Sequence, residues 1–261
     1  MTNKRFHFTT GLPRSGTTLL ATILKQNPKF NASISGPLAR FVRAIITESS
    51  SQGGYRFECP EEKRKKIIEN LFDTYCDAQG KEVYFEMNRG WPLMIHTLKD
   101  LYPDSKMIMC VRDMVQVINS FEWLYRKQPY SFSTMFSTDE ATNVYTRAES
   151  LLNPGRTVGF AYNCIKQGIT SEHKSSIMVL DYVQLAHNPE RMVKLIYKFV
   201  GEPYFEHDYS NVEASYDDFD RDVGLTGLHT TRKVIQYQEQ EMILPPDLQQ
   251  MINQSFPSIW K

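Results

Sequence analysis

The sequence predicts a three-layer α/β fold, in which a central parallel sheet of four to five strands is flanked by helices. Short apolar runs alternate along the chain with longer amphipathic segments, and strands that alternate with helices normally form a parallel sheet. The run Lys106–Val111 carries apolar residues on both faces, as an interior strand of such a sheet does. Ligands of these sheets bind at the carboxyl ends of the strands, so we expect the functional residues there.

Each element follows from the spacing of apolar residues and from turn residues at its ends. The predicted strands are Arg5–Thr10, Val83–Glu86, Lys106–Val111 and Ser176–Leu180. The predicted helices are Thr17–Gln26, Leu38–Thr47, Glu61–Ala78, Leu93–Tyr102, Asp113 to about Arg126, Val158–Gly168, Pro189–Val200 and Leu248–Phe256. We interpret Asn31–Pro37 as a loop of small residues and Gln128–Asn143 as a long functional loop.

Length and charge limit the classes of protein to consider. A chain of 261 residues suits one domain over residues 1–261. Thirty Lys and Arg residues balance thirty Asp and Glu residues, whereas a polyanion binder usually has a basic excess. We therefore expect no nucleic-acid partner, and any anion site must come from local placement of arginines.

The cysteines and the apolar runs suggest where the protein works. The four cysteines are far apart and form no C-x-x-C pair, so neither a metal site nor a disulfide framework is predicted. The N-terminus shows no signal-peptide core, and no apolar run has transmembrane length. We expect reduced thiols, a cytoplasmic location and no membrane association.

A glycine loop lies between the first predicted strand and the first predicted helix, with four residues between Gly11 and Gly16. Glycines let backbone N–H groups point inward, and the following helix N-terminus adds partial positive charge, so the loop suits a phosphate. Hydroxyls of Thr17 and Thr18 stand in the first helical turn. A loop for ATP or GTP has a lysine where Thr17 stands, whereas the cation here is Arg14. This variation favours the 5′ anion of a single nucleotide over a magnesium-bound triphosphate.

The segment Pro13–Leu19 resembles the 5′-phosphosulfate loop of sulfotransferases that use 3′-phosphoadenosine 5′-phosphosulfate. An ordinary turn of another P-loop protein remains the alternative for this loop alone. A second segment, in which Arg112 ends a strand and Ser120 follows eight residues later, resembles the family's 3′-phosphate segment. For an isolated Val-Arg-Asp tripeptide, a surface pair between Arg112 and Asp113 would be the simpler interpretation.

Two later segments extend the resemblance nearly from end to end. Val179–Pro189 is similar to the segment near the adenosine, with Tyr182 at the tyrosine position, although Val183 replaces the usual acidic residue. A core tyrosine is the alternative. Gly224–Lys233 resembles the C-terminal cofactor loop of bacterial sulfotransferases. The resemblance implies a P-loop-like fold and these cofactor-binding residues: Arg14, Ser15, Gly16, Thr17, Thr18, Arg112, Ser120, Tyr182, His229, Arg232 and Lys233.

The reaction that this resemblance implies is in-line transfer of a sulfuryl group to a hydroxyl or amine of a small molecule, glycan or peptide, without a metal. Cations must stabilise the charge that develops on the leaving phosphate, and we assign Arg14 and Arg89 to that role. Neither of the family's general bases is present, since Asn88–Pro92 lacks its histidine and Ala32–Pro37 lacks its glutamate. Glu86 is the candidate base, and a structural pair of Glu86 with Arg89 is the alternative.

The intact second and third segments argue against a plain interaction domain with a vestigial glycine loop, and two other functions remain open at this point. One is a P-loop kinase of a small metabolite, which the threonine at position 17 disfavours. The other is an inactive nucleotide-binding relative, which the missing base suggests. Aromatic residues between positions 121 and 136 form either an acceptor lid or part of the core. The acceptor and the oligomeric state are not encoded in any pattern that we recognise.

Overall fold

The computed structural model describes residues 4–50, 53–128, 130, 133–223 and 227–260. Its sheet has five parallel strands in the order β2-β3-β1-β4-β5. The strands are β1 (Arg5–Gly11), β2 (Phe30–Ala32), β3 (Val83–Met87), β4 (Met107–Val111) and β5 (Ile177–Asp181). The predicted α/β fold with a parallel sheet is confirmed.

The helices cover both faces of this sheet. In chain order they are α1 (Thr17–Lys25), α2 (Leu38–Glu48), α3 (Glu61–Tyr75), α4 (Ile95–Leu101), α5 (Met114–Arg126), α6 (Val144–Leu152), α7 (Thr157–Ile169), α8 (Tyr182–His187), α9 (Pro189–Val200), α10 (Asp217–Val223) and α11 (Pro246–Ser255). Short 3₁₀ turns precede α4 at Trp91–Met94 and β5 at Lys174–Ser176.

Successive side chains of a strand point to opposite faces, and this alternation separates two layers of core. In β3, Val83 and Phe85 pack with α1 and α9, while Tyr84 packs with α2, α3 and α4. In β4, Ile108 joins the first of these layers and Met109 packs with α5, α6 and α7. Every residue of β3 and β4 is buried, as apolar strands inside a three-layer fold require.

The structure adds four elements that the sequence pattern did not indicate. The edge strand β2 has three residues, and its last two lie within the predicted loop Asn31–Pro37. Helices α6, α8 and α10 have nine, six and seven residues. Segments of this length contain too few turns for a clear apolar period, and tertiary contacts stabilise them instead. No helix among the described residues is long and apolar enough to cross a bilayer.

The register of the strands brings distant loops to one edge of the sheet. Gly11 pairs with Cys110, so the loop after β1 lies beside the end of β4. Thr9 pairs with Met87, which places the residues after β3 on the other side of β1. The carboxyl ends of these three strands therefore meet where the sequence predicted a ligand site.

Candidate active site

A cavity of about 560 Å³ opens at the carboxyl edge of the sheet. One side, which we call the sheet wall, consists of residues 13–14 and 16–19 together with Met87, Arg89 and Arg112. The opposite side, the C-terminal wall, consists of lining residues between 228 and 240. Among the described lining residues, five cationic side chains face one carboxylate, that of Glu239; the cations are Arg14, Arg89, Arg112, Lys127 and Arg232. This balance favours an anionic ligand.

The loop after β1 is held tightly against the neighbouring strand and helix. A Cβ atom at Gly11 would lie 2.4 Å from the carbonyl oxygen of Cys110. Gly16 has a left-handed backbone with φ of 88°, and a Cβ atom there would lie 2.8 Å from the ring of Tyr182. Only glycine fits both requirements. The loop then leads into α1 at Thr17, and no acidic residue occupies the first turn of this helix.

The hydroxyl groups of the loop have two different surroundings. The hydroxyl of Ser15 is buried and lies 2.6 Å from the carbonyl oxygen of Leu12 and 3.0 Å from that of Cys110. It therefore binds the loop to the sheet, and only its backbone can serve a ligand. Thr17 and Thr18 line the cavity at the N-terminus of α1. This position brings them together with the partial positive charge of the helix end.

Arg14 connects the two walls of the cavity. Its Nε donates to the hydroxyl of Ser120 at 3.1 Å, and its Nη1 donates to the carbonyl oxygen of Leu228. Arg14 also has a left-handed backbone, with φ of 62°, which is uncommon for a residue other than glycine. Burial, and next the charge of Arg112, lower the pKa of Arg14 to about 10, so the side chain is still a cation at neutral pH.

Arg112 lies at the end of β4 and faces the cavity, with only 8% of its surface exposed. Its Nη1 donates to the carbonyl oxygen of Arg14 at 3.1 Å, and its guanidinium carbon lies 4.7 Å from the ring centre of Tyr182. Asp113 instead caps α5 by accepting from the backbone N–H of Gln116. The alternative of a surface pair between Arg112 and Asp113 therefore does not describe this site. Tyr182 lines the cavity as well.

Arg89 was predicted as a cation at the sulfuryl group and Glu86 as the base, with a pair between them as the alternative, but only Arg89 lines the cavity. Arg89 lines the cavity, and its Nε is buried with no hydrogen-bond partner among the described residues. Glu86 instead lies under Gly36 and accepts from the indole N–H of Trp91. Met87, the next residue, lines the cavity, so alternation along β3 directs Glu86 to the other face.

The burial of Glu86 raises the pKa of its carboxyl group to about 7. That value would suit a general base, but the carboxyl group is not among the groups that line the cavity. The position of this carboxyl group therefore argues against Glu86 as the base. The structure also shows no ion pair between Glu86 and Arg89 among the described residues.

A histidine and a buried carboxylate form a pair at the C-terminal wall. Nδ1 of His229 lies 2.6 Å from Oδ1 of Asp220, and the backbone N–H of His229 donates to Oδ2 at 3.0 Å. Asp220 belongs to α10 and is fully buried, while His229 lines the cavity. Burial lowers the pKa of His229, with a further contribution from Arg89 and Arg14, although Asp220 raises it.

The sequence did not indicate that Asp220 would pair with His229, because Asp220 stands in a run of acidic residues without a recognisable motif.

The other two described residues predicted in this segment, Arg232 and Lys233, have different positions relative to the cavity. Arg232 lines the cavity and donates to the side chain of Gln238. Lys233 does not line it, and its carbonyl oxygen accepts from the backbone of Val212 at 2.8 Å. Residues 224–226 of the predicted loop lie outside the described residues.

The aromatic residues of α5 and of the segment after it divide between the cavity lining and the core. Phe121 and Trp123 line the cavity, together with Met135. Tyr125 instead packs edge-on against Phe136, with ring centres 5.9 Å apart. Tyr130 is fully exposed, and Phe132 lies outside the described residues. Sequence reasoning also missed the lining residues Ser35, Lys127 and Thr157, which no motif marks.

Comparison with known proteins identifies the family. The sulfotransferase family model matches residues 8–206, although no protein of curated function matches the sequence. A sulfotransferase from Alicyclobacillus acidocaldarius is 19% identical with a TM-score of 0.55, over 98% of this chain and 92% of that one. The sulfotransferase domain of the curacin biosynthetic pathway is 14% identical with a TM-score of 0.54, over 98% of both chains.

A mouse sulfotransferase crystallised with PAP is 13% identical with a TM-score of 0.55, over 97% of this chain and 83% of that one. At these identities the structural neighbours show a shared fold. The family model covers most of the chain and includes the loop after β1, the end of β4 and the start of α8. The chain therefore belongs to the sulfotransferase family.

Proposed function

We propose that this sulfotransferase transfers the sulfuryl group of 3′-phosphoadenosine 5′-phosphosulfate to an acceptor hydroxyl or amine, and that residues 1–261 form one domain. The observation that carries the proposal is the convergence of Arg14, Arg112 and the N-terminus of α1 on one cavity. Three separate sources of positive charge there match a ligand with phosphates at two positions. The mouse relative was crystallised with PAP, the 3′,5′-bisphosphate, which supports the same class of ligand here.

The residues of the sheet wall would bind the two ends of this nucleotide differently. At the 5′ end, backbone N–H groups of Ser15 and Gly16 and the hydroxyls of Thr17 and Thr18 would hold the phosphosulfate. At the 3′ end, Arg112 and Ser120 would hold the phosphate, since a guanidinium can donate two parallel hydrogen bonds.

Further residues would complete the binding of the nucleoside part. The ring of Tyr182 stands beside Arg112 and would stack with the adenine. Arg232 lines the opposite side of the cavity and would add charge at the 3′-phosphate. We keep Lys233 as a weaker candidate because its side chain is not part of the described lining.

Catalysis would depend on cations that are already in place. The bound donor supplies the sulfuryl group and a phosphate leaving group that gains negative charge. Arg14 crosses the loop toward the cavity, and Arg89 has a buried Nε that no described residue satisfies. A ligand oxygen would satisfy this Nε, and fixed donors of this kind contribute about 10²–10³-fold to turnover in comparable sites.

His229 replaces Glu86 as the general base in this proposal. In this proposal Asp220 accepts a hydrogen bond from Nδ1–H of His229 and thereby sets the tautomer, so Nε2 is the ring nitrogen that would take the proton of the acceptor. The lowered pKa of His229 keeps the imidazole neutral near pH 7, which a base requires. Arg14 and Arg89 interact electrostatically with the same ring, which supports its position near the reacting groups.

The acceptor would enter beside Phe121, Trp123 and Met135, which line the cavity next to Ser120. A cavity of about 560 Å³ leaves room for a small molecule, or for one residue of a glycan or peptide, beside a nucleotide. We keep the prediction that nucleic acid is not a partner. The cytoplasmic location also remains a prediction, which the four free cysteine thiols support.

Calorimetric titration without magnesium tests the cofactor class. We expect PAP to bind and ATP and AMP to bind much more weakly. Arg112→Ala should weaken PAP binding by about 1.5–3 kcal/mol, because a charge-assisted contact is lost. Arg43→Ala, which removes an exposed arginine of α2 outside the cavity, is the matched control and should bind like the wild type.

The same titration separates the alternatives. Magnesium-dependent ATP binding without PAP binding would favour a kinase and contradict the proposal. PAP binding with no turnover against a broad acceptor panel would favour an inactive relative. An unchanged dissociation constant for Arg112→Ala would overturn the assignment of the 3′-phosphate site.

A further inference from the structure

Three potential metal ligands converge on the surface of the protein, away from the cavity. His96 belongs to α4, while Glu172 and His173 belong to the turn between α7 and β5. Nδ1 of His96 lies 3.2 Å from Nε2 of His173 and 3.3 Å from Oε1 of Glu172. The distance between His173 Nε2 and the same carboxylate oxygen is 3.8 Å. The three donor atoms therefore form a small triangle.

The size of this triangle matches one face of a zinc coordination tetrahedron. With metal–ligand distances of about 2.0–2.1 Å, the ligand atoms of a tetrahedral site are about 3.3–3.4 Å apart. The centre of the observed triangle lies about 2.0 Å from each of the three atoms. An ion slightly above this plane would have three ordinary bond lengths, and the exposure of His96 and Glu172 leaves its fourth position open to water.

We propose that His96, Glu172 and His173 bind a divalent transition-metal ion of the zinc class. Two imidazole nitrogens and one carboxylate oxygen form a donor set that Zn²⁺ accepts, and neutral imidazole is its common nitrogen ligand. The ligands come from two segments that are 76 residues apart at their nearest. A bound ion therefore cross-links α4 to the turn before β5 and stabilises the folded state, to which alone it binds.

The surroundings hold the two segments ready for the ion. The backbone N–H of His173 donates to the hydroxyl of Ser171 at 3.1 Å, which fixes the turn that carries two of the ligands. The side chains of His96 and Glu172 are 60% and 73% exposed, so an ion reaches them directly from solvent. None of the three residues lines the cavity, so this site is independent of the proposed transfer reaction.

Titration of the chelator-treated full-length protein with Zn²⁺, and separately with Co²⁺, tests the proposal. We expect one ion per chain and visible absorption bands of tetrahedral cobalt. His96→Ala and His173→Ala should each weaken binding at least about tenfold, and Glu172→Gln should also weaken it. His187→Ala removes an exposed histidine that is not a ligand, and it should bind the ion like the wild type.

Thermal unfolding gives a second measurement that does not depend on activity. With Zn²⁺ at about one hundred times its dissociation constant, the melting temperature should rise by about 5–10 °C. The rise should disappear in His96→Ala and remain in His187→Ala. Equal metal binding by the wild type and His96→Ala, or no saturable binding at all, would overturn the proposal. The cluster would then be a hydrogen-bonded pair of imidazoles beside a carboxylate.

Discussion

The two walls of the cavity are built in different ways. The sheet wall lies within the residues that the family model matches, and the parallel strands and buried bonds of the glycine loop hold it. The C-terminal wall lies beyond residue 206 and contains neither helix nor strand between residues 228 and 240. It is held by the pair of Asp220 with His229, by a bridge between Ala214 and Thr231, and by the bond from Arg14 to Leu228.

This difference separates two parts of the proposed function. Nucleotide phosphates would be bound mainly by the sheet wall, where a rigid scaffold places charge at strand and helix ends. The general base would come from the C-terminal wall, on a segment whose conformation depends on a few contacts. Loops often carry functional residues, so a base on this wall would be compatible with the absence of both family bases from the other wall.

The largest expected effect is on the C-terminal wall. His229→Ala should lower kcat by about 10²–10⁴-fold, because the acceptor proton loses its base, while PAP affinity changes little. In the wild type, the acidic limb of kcat/KM should lie at a pH below the ordinary histidine pKa of 6.5, since burial lowers the pKa of His229 and only the neutral ring accepts a proton.

Asp220→Asn is the companion variant for this prediction. It keeps the imidazole but removes the carboxylate that raises the pKa of His229, so the acidic limb should move to lower pH as kcat falls. A large loss of PAP affinity in His229→Ala, with kcat retained at saturation, would show a cofactor ligand instead of a base.

The next effect tests the side chain that joins the walls. Arg14→Ala should lower kcat by about 10²–10³-fold, because a fixed donor at the developing charge is lost. Arg14→Lys should restore only part of the rate. A lysine keeps the charge but lacks the planar guanidinium that donates to both Ser120 and the carbonyl oxygen of Leu228. Single-turnover transfer rates measure this, and an undiminished rate in Arg14→Ala would remove Arg14 from the mechanism.

The smallest effect on turnover is expected at Glu86, which the sequence pattern indicated as the candidate base and which does not line the cavity. Its pKa in the folded protein is about 7 against an ordinary 4.5, so the folded state keeps a proton that the unfolded state releases. Stability should therefore fall as the pH rises from about 4.5 to about 7. The shift corresponds to about 3 kcal/mol in the free energy of unfolding.

Glu86→Gln keeps an oxygen that accepts from Trp91 and removes the ionisable proton. Between about pH 4.5 and about pH 7, the free energy of unfolding of this variant should not fall as that of the wild type does. Above pH 7 it should exceed that of the wild type by about 3 kcal/mol. Denaturant titrations at pH 5 and pH 8 measure the difference, and kcat should stay within a few-fold. A loss of kcat comparable to that of His229→Ala would restore Glu86 as the base.

The sequence alone determined the fold class, the four longer strands and most long helices. These features could be predicted because the spacing of apolar residues and the glycines at the ends of elements are local signals, which do not depend on the rest of the chain. The glycine loop with Arg14, and the strand-end Arg112, could be found for the same reason. Each is a short pattern whose chemistry depends on its immediate neighbours along the chain.

Only the tertiary structure decided which polar residues share the cavity. Arg14 and Leu228 are 214 residues apart, and their hydrogen bond could not be inferred from either segment. Glu86 and Met87 are neighbours, yet the alternation of a strand puts only the second at the cavity. Asp220 of α10 meets His229 in a segment that contains neither helix nor strand, and irregular backbone has no period from which a partner can be predicted.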